Sequence, residues 1–396
     1  MAHVIDQGTS RNLLPLLIAE RILHAICMGA ATLLPAYLLK RGLNEVYFGT
    51  ISAISAIFAI LIILSLPILL RHIRVERLSQ LSGLFLFSGY ASLLYAEFTP
   101  NALEPLGYIG FPLISAGWVT HFTLGSIKVS GASSDETRQQ NFMIYAAFST
   151  LGISLGPVVG NLILATYDSY SILFGSLMVM AVFGGLSSIA TMGLNSSPPA
   201  SNSQSHRDGM LSLIRSPAMF FVVMVFLQSA IFTIIINFQV VFGELNGLHS
   251  SAFFICWAAG IMVPRFVLRK WIVRMDNRIV LPFLTGCLAL ALFTLAIGPT
   301  SNILYGITAT ALGVFYGLSY PIVQAETVKF ASPNTRSFFL VAFSMGYFVS
   351  YYVTPLAAGV LVSVKGYNSL FAVAGGIAIV MVIAEICFYQ TRHKQP

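Results

Sequence analysis

Residues 48–70 read FGTISAISAIFAILIILSLPILL, and none of them is charged. A helix rises about 1.5 Å per residue, so roughly 20 apolar residues cross a hydrocarbon core of about 30 Å. The apolar run is continuous, whereas the strands of a membrane β-barrel alternate between apolar and polar residues. This stretch therefore predicts an integral membrane protein that is built from helices.

The whole chain has the composition of a membrane protein. Of its 396 residues, 57% are hydrophobic and 9% are charged, and its mean hydropathy is +0.83. Soluble domains carry about 25% charged residues, so this chain has too little polar surface for a water-soluble globule. We expect about twelve spanning helices, numbered 1–12 in chain order, near residues 12–39, 48–70, 79–96, 106–128, 139–166, 171–192, 217–242, 251–270, 279–298, 303–327, 336–363 and 368–390.

A polar stretch separates the first six spans from the last six. Residues 193–216 contain NSSPP and SNSQS, a composition that cannot bury a core and is typical of a flexible linker. We therefore predict an N-terminal six-helix bundle at 1–192, a cytoplasmic linker at 193–216 and a C-terminal six-helix bundle at 217–396.

Short repeats on either side of the linker indicate that the two halves are related. The motif S-x-x-T-R at 134–138 recurs 198 residues later at 332–336, and the pair Gly-Leu at 42–43 recurs at 247–248. Repeats in the same order suggest an internal duplication. Parallel halves of this kind are typical of transporters that open alternately to the two sides of the membrane.

The basic residues predict the orientation of the chain. Sixteen Lys and Arg residues fall on one side of the predicted spans, and only Lys40, Arg41 and Lys365 fall on the other. Because basic residues favour the cytoplasmic side, we place both termini and the linker in the cytoplasm of a bacterial-type inner membrane. The same asymmetry explains the net charge of +7 without any nucleic-acid partner.

Two segments resemble a known family. Residues 151–160, LGISLGPVVG, resemble the glycine-proline motif of antiporters of the major facilitator superfamily, and residues 34–43, LPAYLLKRGL, are similar to a segment of its drug-efflux members. Between spans 2 and 3, Leu70 and Ile73 stand where that superfamily has Asp and Gly. The resemblance implies an all-α membrane fold of two pseudo-symmetric six-helix bundles, with spans 1, 4, 7 and 10 lining a central cavity.

Gly152, Gly156 and Gly160 lie on one face of predicted span 5, where Pro157 interrupts the backbone ladder. Small residues allow two helices to approach closely in lipid. Two interpretations are open. The face serves plain helix packing, or it forms a tight conformational pivot between the halves, which accompanies export in the resembled family.

Glu20 lies about 12 Å into predicted span 1, and His24 follows one turn later on the same face. Charged groups inside a bilayer are costly and usually functional. We predict that Glu20 and His24 bind a coupling proton, with Glu326 of span 10 as the next candidate. The alternative is a fixed structural pair between Glu20 and a basic group on another span.

Span 4 places Trp118, His121 and Lys128 on one face. Aromatic rings together with amides and a few charges suit an amphipathic organic substrate, although an aromatic stripe is also typical of simple packing. The predicted substrate-binding residues are Arg21, Trp118, His121, Gln228, Asn237, Tyr316, Tyr320 and Gln324.

Charged residues near the cytoplasmic ends of spans 8, 10 and 12 have two interpretations. We predict that Arg265 and Glu326 pair as part of an inner gate. The alternative is that both side chains snorkel to the membrane interface, which is also the expected place of Glu385.

The predicted function is proton-coupled export of a small organic molecule by alternating access, carried out by a monomer in the lipid bilayer. Walker, HExxH, GxSxG and Rossmann motifs are absent, and the four cysteines are isolated, so we expect no enzyme activity, metal or cofactor. Uptake by proton symport is one alternative. A lipid flippase or a membrane-embedded enzyme is another.

Overall fold

The computed structural model describes residues 13–43, 45–190, 213–299, 301–332 and 335–393. Within these ranges the regular secondary structure is helical and contains no strand. The predicted linker lies outside the described residues except for its last four positions.

The N-terminal half contains spans 1–6. Span 1 consists of the helix Leu13–Ala30, a 3-10 turn at Ala31–Leu33 and the short helix Leu34–Lys40. Spans 2–6 are the helices Glu45–His72, Val75–Phe98, Leu103–Gly131, Arg138–Tyr167 and Tyr170–Ala190.

The C-terminal half contains spans 7–12. Spans 7–10 are the helices Ala218–Leu245, Ser250–Val267, Asn277–Ile297 and Asn302–Lys329. The segment Arg336–His393 contains spans 11 and 12, because Gly366 (φ 80°, ψ 174°) breaks the helix at the predicted junction. Only glycine adopts this conformation without strain.

Nine helical segments of the described residues are long and apolar enough to cross a membrane, and Ala252–Val267 is a shorter apolar helix. The segment that Gly366 divides supplies two of the spans, and the 29-residue helix Leu103–Gly131 supplies the fourth. The predicted all-α fold with about twelve spans is thereby confirmed.

Span 2 shows how the chain meets lipid. Ile57, Leu61, Leu64 and Ile68 recur at helical spacing, and their side chains are more than half exposed. In water such a stripe would be a large exposed apolar patch, whereas in a bilayer it faces lipid tails that are also apolar.

The helices form two compact units. Unit 1 consists of Met1–Asn141, Phe148–Met210 and Ser332–Met345, and unit 2 of Phe142–Ala147, Leu211–Ala331 and Gly346–Pro396. In unit 1, span 3 packs against spans 4 and 6, and span 1 packs against the same two helices. In unit 2, span 10 packs against spans 7, 8 and 9.

The repeated sequence motifs fold in the same way. The Ser134 and Thr137 hydroxyls lie 2.9 Å apart before span 5, and those of Ser332 and Thr335 lie 3.0 Å apart before span 11. Each pair lies just before a helix that begins with arginine.

The Gly-Leu repeats also share one geometry. Gly42 and Gly247 both have positive φ, at 84° and 65°. Just after each glycine, a leucine amide bonds back across the helix end, from Leu43 to the carbonyl of Leu38 and from Leu248 to that of Gly243. This is the Schellman termination, which requires a left-handed residue and therefore favours glycine.

Candidate functional site

The predicted proton group Glu20 pairs with Lys128 of span 4. The Lys128 Nζ atom lies 2.7 Å from Oε1 and 2.6 Å from Oε2 of Glu20, and both residues are buried. Inside a low-dielectric interior each charge is tolerable mainly because the other is present. The polar face predicted for span 4 thus supplies the basic partner from another span.

Two serines complete the surroundings of this carboxylate. Ser79 of span 3 and Ser188 of span 6 donate hydrogen bonds to Glu20 Oε1, at 2.9 and 2.8 Å. Lys128 also donates to the Ser79 hydroxyl, at 3.0 Å. Four spans therefore converge on one carboxylate. We call Glu20, Ser79, Lys128, Ser188 and the neighbouring His121 the Glu20 cluster.

The two histidines stack beside the pair. The rings of His24 and His121 are 3.9 Å apart and nearly parallel, so two imidazolium charges there would repel each other. His24 lies 3.0 Å from the backbone oxygen of Glu20 and 2.9 Å from the Ser82 hydroxyl. His121 Nδ1 is 3.6 Å from Glu20 Oε1, and within the described part of the chain neither nitrogen of this buried ring has a hydrogen-bond partner.

Arg21 and Trp118, both predicted to bind substrate, are in contact. The guanidinium carbon of Arg21 lies 4.7 Å from the Trp118 ring centre and 4.8 Å from that of Phe122. An arginine between two aromatic faces gains cation–π attraction that is strongest when it is desolvated. Arg21 is indeed buried, on a different face of span 1 from the Glu20 carboxylate.

In unit 2, span 10 supplies two of the predicted residues to an aromatic cluster. Tyr316 and Tyr320 have ring centres 6.1 Å apart. Their contacts extend over spans 7, 8 and 11 to four rings that the sequence did not single out. We call the six residues the aromatic cluster: Phe232, Trp257, Tyr316, Tyr320, Tyr347 and Tyr351.

Polar groups accompany these rings. Gln228 donates to Ser319 at 3.3 Å. The Gln228 Oε1 acceptor and the Trp257 Nε1 donor are both buried and have no hydrogen-bond partner among the described residues. Of the remaining predictions, Gln324 is buried on span 10, whereas Asn237 is exposed on span 7.

Residues 116–325 and 283–396 match the sequence profile of the Major Facilitator Superfamily. The chain belongs to the Major Facilitator Superfamily. Members of this superfamily are transporters and not enzymes, and the chain is a multi-pass membrane protein. No curated protein matches it by sequence.

Solved structures of the superfamily share the fold. The fucose:proton symporter FucP of E. coli is 15% identical, with a TM-score of 0.77 over 95% of this chain and 98% of that one. The human organic anion transporter MFSD10 is 14% identical, with a TM-score of 0.73 over 95% and 99%. The proton:xylose symporter XylE is 12% identical, with a TM-score of 0.76 over 94% of each chain.

Among the described residues, Arg265 and Glu326 do not form the ion pair that was predicted as an inner gate, and each has other partners. Arg265 donates from Nε to the carbonyl oxygen of Gly317, at 2.6 Å. Glu326 accepts from Asn277 at 2.8 Å and from Lys329 at 3.3 Å. Arg265 is buried within its span and therefore does not snorkel either, and a carbonyl one helix away accepts a hydrogen bond from its Nε atom.

Another ion cluster lies at the loop before span 5. Asp135 contacts Arg138 at 2.5 Å and Arg336 at 3.4 Å, all within unit 1. The hydrogen bond and charge of Arg138 hold the pKa of the Asp135 carboxyl below its usual value. The repeated S-x-x-T-R motif supplies both arginines, but the sequence did not indicate that one acid joins them.

The glycine face of span 5 packs against span 1. A Cβ atom at Gly152 would meet Ala25, one at Gly156 would overlap the backbone of Gly29 and Ala30, and one at Gly160 would meet Leu33. These contacts lie within unit 1. They support the packing interpretation and differ from the expected contact between the halves, so a pivot role for Gly152, Gly156, Pro157 and Gly160 stays a prediction.

Proposed function

We propose that this protein is a proton-coupled secondary transporter that exports a small organic molecule by alternating access. The observation that supports proton coupling is the Glu20 cluster, in which one buried carboxylate is held by a lysine and two hydroxyls from three other spans. A titratable group in such a place links the charge state of the protein to the packing of four helices.

Protonation of Glu20 removes the charge that compensates Lys128. Removing one partner of a buried ion pair costs about 3–5 kcal/mol, because the remaining charge stays desolvated. Lys128 then favours any conformation that hydrates it or gives it another anionic partner. Proton binding thereby shifts the balance between conformations, which is the requirement for coupling it to substrate movement.

The aromatic cluster supports an amphipathic substrate with a flat or apolar face. Six aromatic rings offer stacking surfaces. The Trp257 Nε1 donor and the Gln228 Oε1 acceptor are available for one hydrogen bond each. Sites for small molecules commonly combine an apolar lining with a few polar groups that fix orientation.

Replacing Trp257 by Phe tests this assignment. The variant keeps an aromatic ring but loses the Nε1 donor, so we expect KM for the transported compound to rise about tenfold, the effect of one hydrogen bond worth roughly 1.5 kcal/mol, with little change in kcat. Trp271→Phe is the matched control, because Trp271 is exposed. Equal KM values in all three proteins would remove Trp257 from the binding site.

A pH-jump assay in proteoliposomes tests the proposed function itself. Candidate compounds are added to vesicles with a preset proton gradient, and the substrate is the compound whose addition dissipates the gradient. Export by antiport predicts that compound and proton move in opposite directions. Movement in the same direction supports the alternative of uptake by symport, and FucP and XylE, which share this fold, are proton symporters. Failure of every compound to move protons contradicts coupling.

Export is favoured by the glycine-proline segment at 151–160, which resembles the motif of the superfamily's antiporters. The assignment to the drug/proton antiporter branch and to a bacterial inner membrane belongs to the same proposal.

The proposed orientation places the termini and residues 193–216 in the cytoplasm. Single cysteines at Ser203 and Asn368, introduced after removal of the four native cysteines, are exposed to a membrane-impermeant thiol reagent in intact cells. We expect the Asn368 probe to react and the Ser203 probe to react only after permeabilisation. Labelling of Ser203 in intact cells contradicts the proposed topology.

A further inference from the structure

Glu385 is buried in unit 2, although its position near the inner end of span 12 led us to expect it at the membrane interface. Its exposed fraction is 0%. Span 12 continues for two turns beyond it, to His393, and Thr285 of span 9 contacts it. The carboxyl group therefore lies about 12 Å from the end of its helix, at a rise of about 1.5 Å per residue.

The contacts of this carboxyl are few. Thr285 of span 9 lies 3.2 Å away and donates to Oε1. Oε2 has no hydrogen-bond partner among the described residues, and no salt bridge in that part of the chain reaches the group. Lys128 forms an ion pair with Glu20 in unit 1, whereas no cation among the described residues forms an ion pair with Glu385.

A second unpartnered oxygen lies one turn further along the same helix face. The hydroxyl of Tyr389 is buried and also lacks a partner within the described residues, and positions four apart on a helix are neighbours. The charged groups that act on Tyr389 are Glu385, Glu326 of span 10, and Asp276 and Arg278 at the start of span 9. Glu385 and charged groups near the ends of two neighbouring helices therefore all act on this phenol.

We propose that Glu385 is a second proton-binding site of this transporter, separate from the Glu20 cluster, and that it exchanges its proton through Tyr389 with the end of unit 2. An ionised carboxylate without a counter-charge is costly inside a membrane protein, and titratable groups retained there are usually functional. The inference concerns unit 2 alone and does not depend on the role proposed for Glu20.

A proton fits this place better than a metal ion. Mg²⁺ and Ca²⁺ take six or more oxygen ligands, whereas the carboxyl and the Thr285 hydroxyl supply three oxygen atoms. Nowhere among the described residues do three or more His, Cys, Asp or Glu side chains form a group that could hold a metal ion.

Infrared difference spectroscopy of the purified protein during a pH titration tests the proposal without any substrate. We expect a protonated-carboxyl band that titrates in the wild type and in Glu20→Gln, and that is lost in Glu385→Gln. Thr285→Val removes the donated hydrogen bond and should shift the frequency of that band while the protein stays folded. Tyr389→Phe should slow its appearance after a rapid pH change.

A count of protons gives an independent measurement. In weakly buffered solution an acid pulse should transfer one proton fewer per chain to Glu385→Gln than to the wild type. Glu97→Gln is the matched control, because it also removes one carboxyl group, but one that lies against Tyr37 and Arg41. An unchanged infrared band in Glu385→Gln, or a carboxyl band that does not titrate at all, overturns the proposal. If Glu20→Gln loses coupling while the Glu385 band remains, the result bears on the role proposed for Glu20 and leaves the proposal for Glu385 unchanged.

Discussion

Glu20→Gln is expected to abolish substrate movement against a gradient while exchange of substrate across the membrane continues. Gln keeps the size of the side chain and can still accept hydrogen bonds from Ser79 and Ser188, but it cannot bind and release a proton. A pH gradient then has no group at this position through which to act. The measurement is accumulation in proteoliposomes under a pH gradient, compared with counterflow in its absence.

The alternative of a purely structural ion pair predicts a different pattern. Glu20→Gln leaves the Lys128 charge without its partner, so both hypotheses expect a loss of stability of about 3–5 kcal/mol. The double variant Glu20→Gln/Lys128→Met removes both charges and should recover most of that stability. If the pair is structural, proton-driven transport returns with it, whereas proton coupling through Glu20 predicts a stable protein that remains uncoupled.

An exposed ion pair provides the matched control. Lys40 and Asp168 lie 3.5 Å apart in unit 1, with side chains 62% and 91% exposed. Surface pairs of this kind contribute about 0–1 kcal/mol. Lys40→Gln should therefore change neither stability nor pH-driven transport by a measurable amount, and a large effect would show that loss of any ion pair perturbs this protein.

The sequence identified Glu20 and the polar face of span 4, but it did not show that the two meet. A carboxylate in an apolar run stands out because so few residues of the chain are charged, and the helical spacing in span 4 placed Lys128 on the same face as His121. Which cation meets Glu20 depends on the rotation and axial offset of two helices, and a single sequence does not specify these. The interaction was therefore predicted as an open alternative.

Ser79 and Ser188 could not be singled out from the sequence. Serines are frequent in these spans and often bond to a carbonyl of their own helix, as Ser55 does, so only the packing of spans 3 and 6 against span 1 distinguishes two of them. The aromatic cluster is similar, since Tyr347 and Tyr351 lie at helical spacing but join Tyr316 through contacts between spans. The fold itself was predictable, because hydropathy alone specifies where helices cross the bilayer.

The structure differs from two expectations about charged groups for a common reason. Glu385 was expected at the interface, and snorkelling to the interface was the alternative to the gate for Arg265, in both cases because the residue lies near the end of its span. In the structure a carbonyl of span 10 accepts from the Nε atom of Arg265, and Thr285 of span 9 donates to Glu385. Contacts with neighbouring helices, which sequence position does not encode, determined where both groups lie.

Gly156→Leu is expected to prevent stable packing of unit 1, and even Gly156→Ala should destabilise it. A Cβ atom at this position would overlap the backbone of Gly29 and Ala30 and the carbonyl oxygen of Ile26. Backbone atoms cannot move aside as a side chain can, so spans 1 and 5 would have to separate. Overpacking of this kind costs about 1–3 kcal/mol for a small group, and a leucine should cost more.

Thermal unfolding of the purified variants, followed by size-exclusion chromatography, measures the effect. Gly175→Ala in span 6 is the matched control, because it is also a helical glycine of unit 1 but has no atom within 4 Å of an added Cβ. We expect it to keep or slightly raise stability, since alanine favours a helix over glycine by about 0.5–1 kcal/mol. The order of stability, from highest to lowest, should be Gly175→Ala, wild type, Gly156→Ala and Gly156→Leu.

A Gly156→Leu protein that unfolds at the wild-type temperature would contradict the close approach of spans 1 and 5. A stable variant without transport would instead support the pivot role, because the glycine would then be needed only for movement.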